Sequence, residues 1–316
     1  MDPSNPYQGP VSDPLPPEST KEEVVGPARR RPLGHGWLWW KRAWRLTAAN
    51  RVLWTLALLV FMAILTGVSL VGLFVPVLGN FAPTLLGPVL SAGLMQLAWR
   101  RWHDEEFDFG DLFVGFSRRT GPLFLAGLVQ VGLQILFTLL TVVATLALYG
   151  GEIAALFSAS LGGDPLGAEA MAGMGALSVF KMLLLGLVIA ALSVPYMALI
   201  WFQAPLVLFG ERNGLVAIKE SLVAVARNWL PMLWYGLIPL LVLGVLVALV
   251  AGLLALAGML FGPDSLAMML LGLLLVLATL VVSLFLMAVT TVSVYASFRD
   301  IFGVADDEPD TTPDLV

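Results

Sequence analysis

The chain has 316 residues, 59% of them hydrophobic and 12% charged, with a mean hydropathy of +0.89. Soluble domains are about half apolar and a quarter charged, so this balance excludes a water-soluble fold as the main body of the chain. The absence of cysteine and the presence of two histidines exclude disulfides and thiolate or multi-histidine metal sites, and the net charge of -5 comes from acids gathered in two polar ends and one short loop.

Residues 1–36 are rich in proline, glycine and acid and carry the cluster Arg29, Arg30, Arg31. They lack the apolar surface to fold alone and are expected to form a disordered cytoplasmic tail. The first apolar run starts near Val52, too late for a cleaved signal peptide, so the spans themselves are expected to direct insertion. A membrane domain is expected over 37–302, followed by a second, acidic cytoplasmic tail at 303–316 with Asp306, Asp307, Glu308, Asp310 and Asp314. Runs such as Leu237 to Leu260 and Leu266 to Val289 hold no charge. Each exceeds the ~20 residues that cross the hydrocarbon of a bilayer. Spans are predicted at 52–75, 80–99, 122–148, 178–209, 230–261 and 266–295, which makes the fold an all-α membrane protein of six transmembrane helices.

All 17 lysines and arginines except Lys181 then fall before span one, between spans two and three, between four and five, or after six. The positive-inside rule makes that side, with both termini, cytoplasmic. The tryptophans repeat the asymmetry and are expected to form an aromatic belt there.

The segments on this side have their own pattern. Ahead of span one, Trp37, Trp40 and Trp44 share a face from which Lys41 and Arg45 turn away. Between spans two and three, Phe109, Leu112, Phe113 and Phe116 recur at helical spacing, with Asp108, Asp111 and Arg118 on the other face. Between four and five the stripe is Leu215, Ile218, Leu222 and Val225, with Glu220 and Arg227 opposite and Lys219 placed to snorkel. All three read as amphipathic helices lying in the membrane interface. A shift of 109 positions puts Asp111 on Glu220, Arg118 on Arg227 and Pro122 on Pro231, and a second alignment puts Lys41 on Lys219 and Asn50 on Asn228. The expected architecture is three repeats of an interfacial helix followed by a transmembrane hairpin.

Chemistry-bearing residues are few. Gln130 and Gln134, one turn apart on span three, and Lys181, one turn inside span four, are the candidate lining of a polar cavity. Interhelical hydrogen bonds explain the glutamines more simply, and an interfacial pairing near Glu152, Asp164 or Glu169 does the same for Lys181. Pro195 predicts a kink in span four, and Gly244, Ala248, Gly252 and Ala255 give span five a small-residue stripe. His103 with Asp104, Glu105 and Glu106 reads as a solvated run, because consecutive residues face different ways, and His35, between two glycines, is equally unremarkable. No P-loop, H-E-x-x-H or G-x-S-x-G pattern occurs. No cofactor, nucleic-acid partner or enzymatic activity is expected. The expected partners are membrane lipids, anionic ones included, and other copies or membrane proteins.

Five short stretches carry a resemblance: Asn5-Pro6-Tyr7, Gly34-His35-Gly36-Trp37, Phe109-Gly110-Asp111-Leu112-Phe113-Val114-Gly115-Phe116, Arg227-Asn228-Trp229-Leu230-Pro231 and Phe298-Arg299-Asp300-Ile301-Phe302. Together they resemble an uncharacterised family of bacterial multi-pass inner-membrane proteins, distantly similar to the membrane domain of glycerophosphoryl diester phosphodiesterases. The resemblance covers nearly the whole membrane region and implies no catalytic residues, since the phosphodiesterase catalytic domain has no counterpart here. The function it suggests is a non-enzymatic scaffold or accessory factor in envelope or lipid homeostasis. The alternative is a transporter or channel for a small neutral or apolar solute.

Overall fold

The computed structural model describes residues 25–72, 74–162, 168–262 and 265–303, and no strand occurs among them. The helices are α1 His35–Ala49, α2 Arg51–Val71, α3 Pro76–Trp102, a 3-10 helix Phe109–Phe116, α4 Thr120–Gly162, α5 Ala168–Ile200, α6 Gln203–Leu208, α7 Gly214–Arg227, α8 Trp229–Phe261 and α9 Leu266–Phe302. Six stretches are long and apolar enough to cross a membrane: Arg51–Val71, Phe81–Trp102, Thr120–Ala154, Val179–Leu208, Trp229–Phe261 and Leu266–Phe302. Large apolar side chains from Leu240 to Leu256 and from Leu266 to Val282 stand open to the surroundings, which water would not tolerate over so wide an area. The chain is a multi-pass membrane protein.

An interfacial segment followed by a hairpin occurs three times: α1 with α2 and α3, the 3-10 helix with α4 and α5, and α7 with α8 and α9. Each interfacial segment packs chiefly on the hairpin before its own. The 3-10 helix lies on α3, and α7 lies on α4 and α5. Helix α1 packs on α8 and α9, closing the order into a cycle.

Two contacts show how closely the copies match. A Cβ at Gly36 of α1 would lie 2.5 Å from the Pro231 carbonyl oxygen and 3.0 Å from the Tyr235 nitrogen of α8. A Cβ at Gly214 of α7 would lie 2.9 Å from the Pro122 carbonyl oxygen and 2.6 Å from the Ala126 nitrogen of α4. In both, a glycine meets a proline and the residue four further on, so each interfacial helix reaches the first turn of a span backbone against backbone. The junctions match as well. The carbonyls of Asn50, Arg119 and Asn228 each accept the N–H four residues on, at 3.1, 3.0 and 3.0 Å, starting α2, α4 and α8. Arg119 does this with φ at 58°, a left-handed conformation costing a non-glycine residue about 1 kcal/mol, whereas the two asparagines have negative φ.

The core lies at the end of the spans where the basic residues gather. Trp39, Trp54, Leu58, Leu97, Phe202, Leu206, Tyr295, Phe298 and Phe302 are all buried there. Trp39, Trp40 and Trp54 are therefore protein core, and an aromatic belt does not describe them; Trp37, Trp44, Trp229 and Trp234 stay exposed. Toward the opposite end the helices bury little. Gly244 and Gly252 have no neighbour within 4 Å of an added Cβ, so no described residue covers these glycines of the small-residue stripe of α8.

Several sequence expectations are corrected. The segment Phe109–Phe116 is a 3-10 helix, not an α-helix. Two glycines weaken α-helix here, and Gly115 presses against the Val89 carbonyl while Gly93 of α3 presses against Leu112, a backbone contact suited to a thin helix. The buried face of α7 is Gly214, Ala217, Ile218, Ser221 and Ala224, so Leu215 and Leu222 point away from the protein. In α1 the buried face is Gly36, Trp39, Trp40, Ala43 and Thr47. Of the expected tail 1–36, residues 25–34 are placed on the protein and α1 starts at His35; residues 1–24 and the second expected tail from 304 lie outside the described residues. Helix α4 does not stop near 148 but runs to Gly162, about 65 Å at 1.5 Å per residue, because no proline interrupts it.

Pro195 leaves α5 unbroken. The break comes at Trp201 and Phe202, four and three residues ahead of Pro205, whose ring displaces the carbonyl of residue 201 and which has no N–H to offer it. Ser221 of α7 restores the lost bonding. Its hydroxyl accepts the Phe202 N–H at 3.0 Å and donates to the Ala198 carbonyl at 2.8 Å.

Candidate functional site at the basic end of the helices

Polar side chains converge where the chain's described ends meet. Asp300, in the last turn of α9, is buried to 10% side-chain exposure and receives three donors. The indole N–H of Trp39 reaches its Oδ2 at 2.8 Å, His35 Nδ1 reaches the same oxygen at 2.7 Å, and Arg31 Nε stands 3.2 Å from Oδ1. Charge-assisted bonds of this kind are about twice as strong as neutral ones. Asn228, at the α7–α8 junction, holds the same entry segment by accepting the Arg31 N–H at 2.8 Å and donating to the Arg29 carbonyl at 2.9 Å. The backbone N–H groups of Gly26 and Arg29 donate to the Phe302 and Ile301 carbonyls at 3.0 and 2.8 Å.

A second cluster lies beside α9. Arg299 is 4% exposed, with its guanidinium 5.0 Å from the Trp102 ring and donating to the Tyr295 hydroxyl at 3.2 Å. Its Nη1 stands 3.4 Å from His103 Nε2, which fixes that nitrogen as the acceptor and leaves Nδ1–H to donate to the Trp99 carbonyl at 2.9 Å. Neither histidine is a bare surface residue, contrary to the sequence expectation.

Other cations line the rim. Arg100 pairs with Asp111 and stands 3.6 Å from Glu105. Burial raises the Asp111 carboxyl above the usual carboxylate range, while the adjacent guanidinium pulls it the other way by charge and hydrogen bonding. Arg212 pairs with Glu220 at 3.1 Å, Arg227 donates to the Ala28 carbonyl at 3.2 Å, and Lys219 is exposed with no acid within 4 Å among the described residues. Phe109, Phe113 and Phe116 project from the 3-10 helix at 37%, 47% and 45% exposure, beside the exposed Arg118. Such apolar side chains among cations suit the boundary between headgroups and acyl chains.

The candidate cavity residues separate into two places. Gln130 donates to Gln203, Gln203 donates to the Ala126 carbonyl at 3.1 Å, and Gln134 accepts from Thr84 at 2.6 Å, joining α3, α4 and α6. Lys181 lies elsewhere, paired with Glu152 and 5.7 Å from the Tyr149 ring. Among the described residues no three His, Asp or Glu gather as a metal site would require.

Sequence reading missed Asp300, Trp39, Asn228 and Ser221. Asp300 carried a signal, being the one acid in the apolar run of α9, yet its partners lie more than 260 positions away. No family model, curated protein or solved structure matches the chain.

Proposed function

We propose that the chain is an integral protein of the bacterial inner membrane with both termini cytoplasmic, acting as a non-enzymatic scaffold or accessory factor in envelope or lipid homeostasis. The observation that carries this reading is the placement of the packed core. It lies at the basic end of the spans, under a rim of cations and exposed aromatics, while the opposite halves of α8 and α9 are open apolar surface. A body anchored by its rim to an anionic leaflet is the arrangement this suits, at about 1 kcal/mol per lysine or arginine near such a surface. A permeation path is less well supported, because Gln130, Gln134 and Lys181 bond to neighbours and do not share one cavity.

Reconstitution into phosphatidylcholine discs, with and without phosphatidylglycerol, tests the proposal. The melting temperature is expected to rise with the anionic lipid and to lose that rise in high salt, where surface attraction is screened. Identical melting in both lipids would overturn it. Cysteines placed at 118 and 227 are expected to be labelled only from the cytoplasmic side.

A further inference from the structure

One groove on the rim has the makings of a site. Its near wall is one face of α7, where Val216, Lys219, Val223 and Arg227 follow at helical spacing, with Arg212 and Glu220 beside them. Its far wall is the extended segment from Val25 to Ala28, and Phe302 forms the end. The volume is about 510 Å³, within the range of small-molecule sites.

The walls are fixed. The far one is tied to α9 through the Gly26 and Arg29 N–H groups, and Gly26 lies so close to α9 that an added Cβ would be 3.0 Å from the Phe302 oxygen. The near one is held by the buried small residues of α7. Among the described residues the charge is one-sided, since three cations line the groove with one carboxylate, Glu220, which is already taken by Arg212. Arg227 uses one N–H for the Ala28 carbonyl, and Lys219 brings an ammonium with no acid within 4 Å among the described residues. The Lys219 ammonium and the remaining N–H groups of Arg227 thus stand beside the half-exposed Val216 and Val223 in one recess.

We infer that this groove binds a phosphate group, supplied by the headgroup of an anionic phospholipid. Lys219 and Arg227 take the phosphate oxygens, and Val216 and Val223 lie along the glycerol and first methylenes. The inference rests on the proposed anchoring to an anionic leaflet and assigns one specific seat within it.

The test uses the full chain in phosphatidylcholine discs containing a minority of phosphatidylglycerol, at high salt so that only contact binding persists. Native mass spectrometry is expected to find one phosphatidylglycerol retained by the wild type and by the rim control K41Q/R45Q. The variant K219Q/R227Q is expected to hold it at least about tenfold more weakly, as the loss of two cations near a phosphate implies. Equal weakening in both variants would overturn the seat while leaving general rim attraction intact. No retained lipid at high salt, with an anionic preference at low salt, would overturn the seat alone. No anionic preference at any salt would remove the anchoring reading too. Millimolar inorganic phosphate is expected not to displace the lipid; full displacement would overturn the lipid as the source. Should K219Q/R227Q melt early in pure phosphatidylcholine, K219Q alone, which removes no acid contact, carries the comparison.

Discussion

Gly36 and Gly214 are small for the same reason, since each lets an interfacial helix touch the backbone of a span at a proline and the residue four beyond it. A side chain there must push helices apart, so Gly36→Val and Gly214→Val are each expected to cost about 2 kcal/mol. Gly236→Val, at a position with open space, is expected to change stability little. Thermal unfolding in detergent measures all three, and a Gly214→Val as mild as Gly236→Val would contradict the matched contact. The correspondence of Pro122 and Pro231 was legible in the sequence. That of the glycines was not, because a glycine shows no side-chain period and its role depends on which backbone comes near it. Asp300 was obscured differently: an acid at the end of an apolar run looks like the edge of a membrane span, and only the return of residues 31–39 to that edge makes it a shared acceptor.

Among the elements, the spans were legible because about twenty consecutive apolar residues give an averaged signal that no single position can spoil. The interfacial segments were legible in place but not in orientation. Leu215 and Leu222 have the helical spacing of a core stripe, yet the protein is met by glycine, alanine and serine, and the leucines face outward. In a membrane both faces of such a helix find apolar surroundings, so periodicity does not tell lipid from protein. The break between α5 and α6 makes the point energetically. Ser221 bonds both groups that the break releases, at 3.0 and 2.8 Å, and is itself buried. Ser221→Ala leaves a buried N–H and carbonyl without it and is expected to cost about 2 kcal/mol. A circular dichroism melt reads this, and an unchanged midpoint would mean that the backbone there bonds elsewhere.

On the scale of the molecule, α1 serves the hairpin at the other end of the chain. The Gly26 N–H lies 3.0 Å from the Phe302 oxygen, so the described ends are already in contact. A circular permutant that links residue 303 to residue 25 and opens between α1 and α2 is expected to insert and melt within a few degrees of the wild type. A permutant that fails to fold although α2 to α9 insert would contradict the cyclic packing. The sequence showed the threefold order but not which hairpin each interfacial helix would choose, since α8 is apolar all round and offers no face to read.

That choice governs timing during synthesis. Residues 35 to 49 leave the ribosome before any of the six spans, yet the surface that shelters Trp39 and Trp40 is made by α8 and α9, which emerge after the other four. Until then these indoles must rest in the headgroup layer or against a helper. Completion of the α8–α9 hairpin is therefore also the moment at which α1 matures, and a polypeptide that ends before Asp300 would leave α1 unfastened.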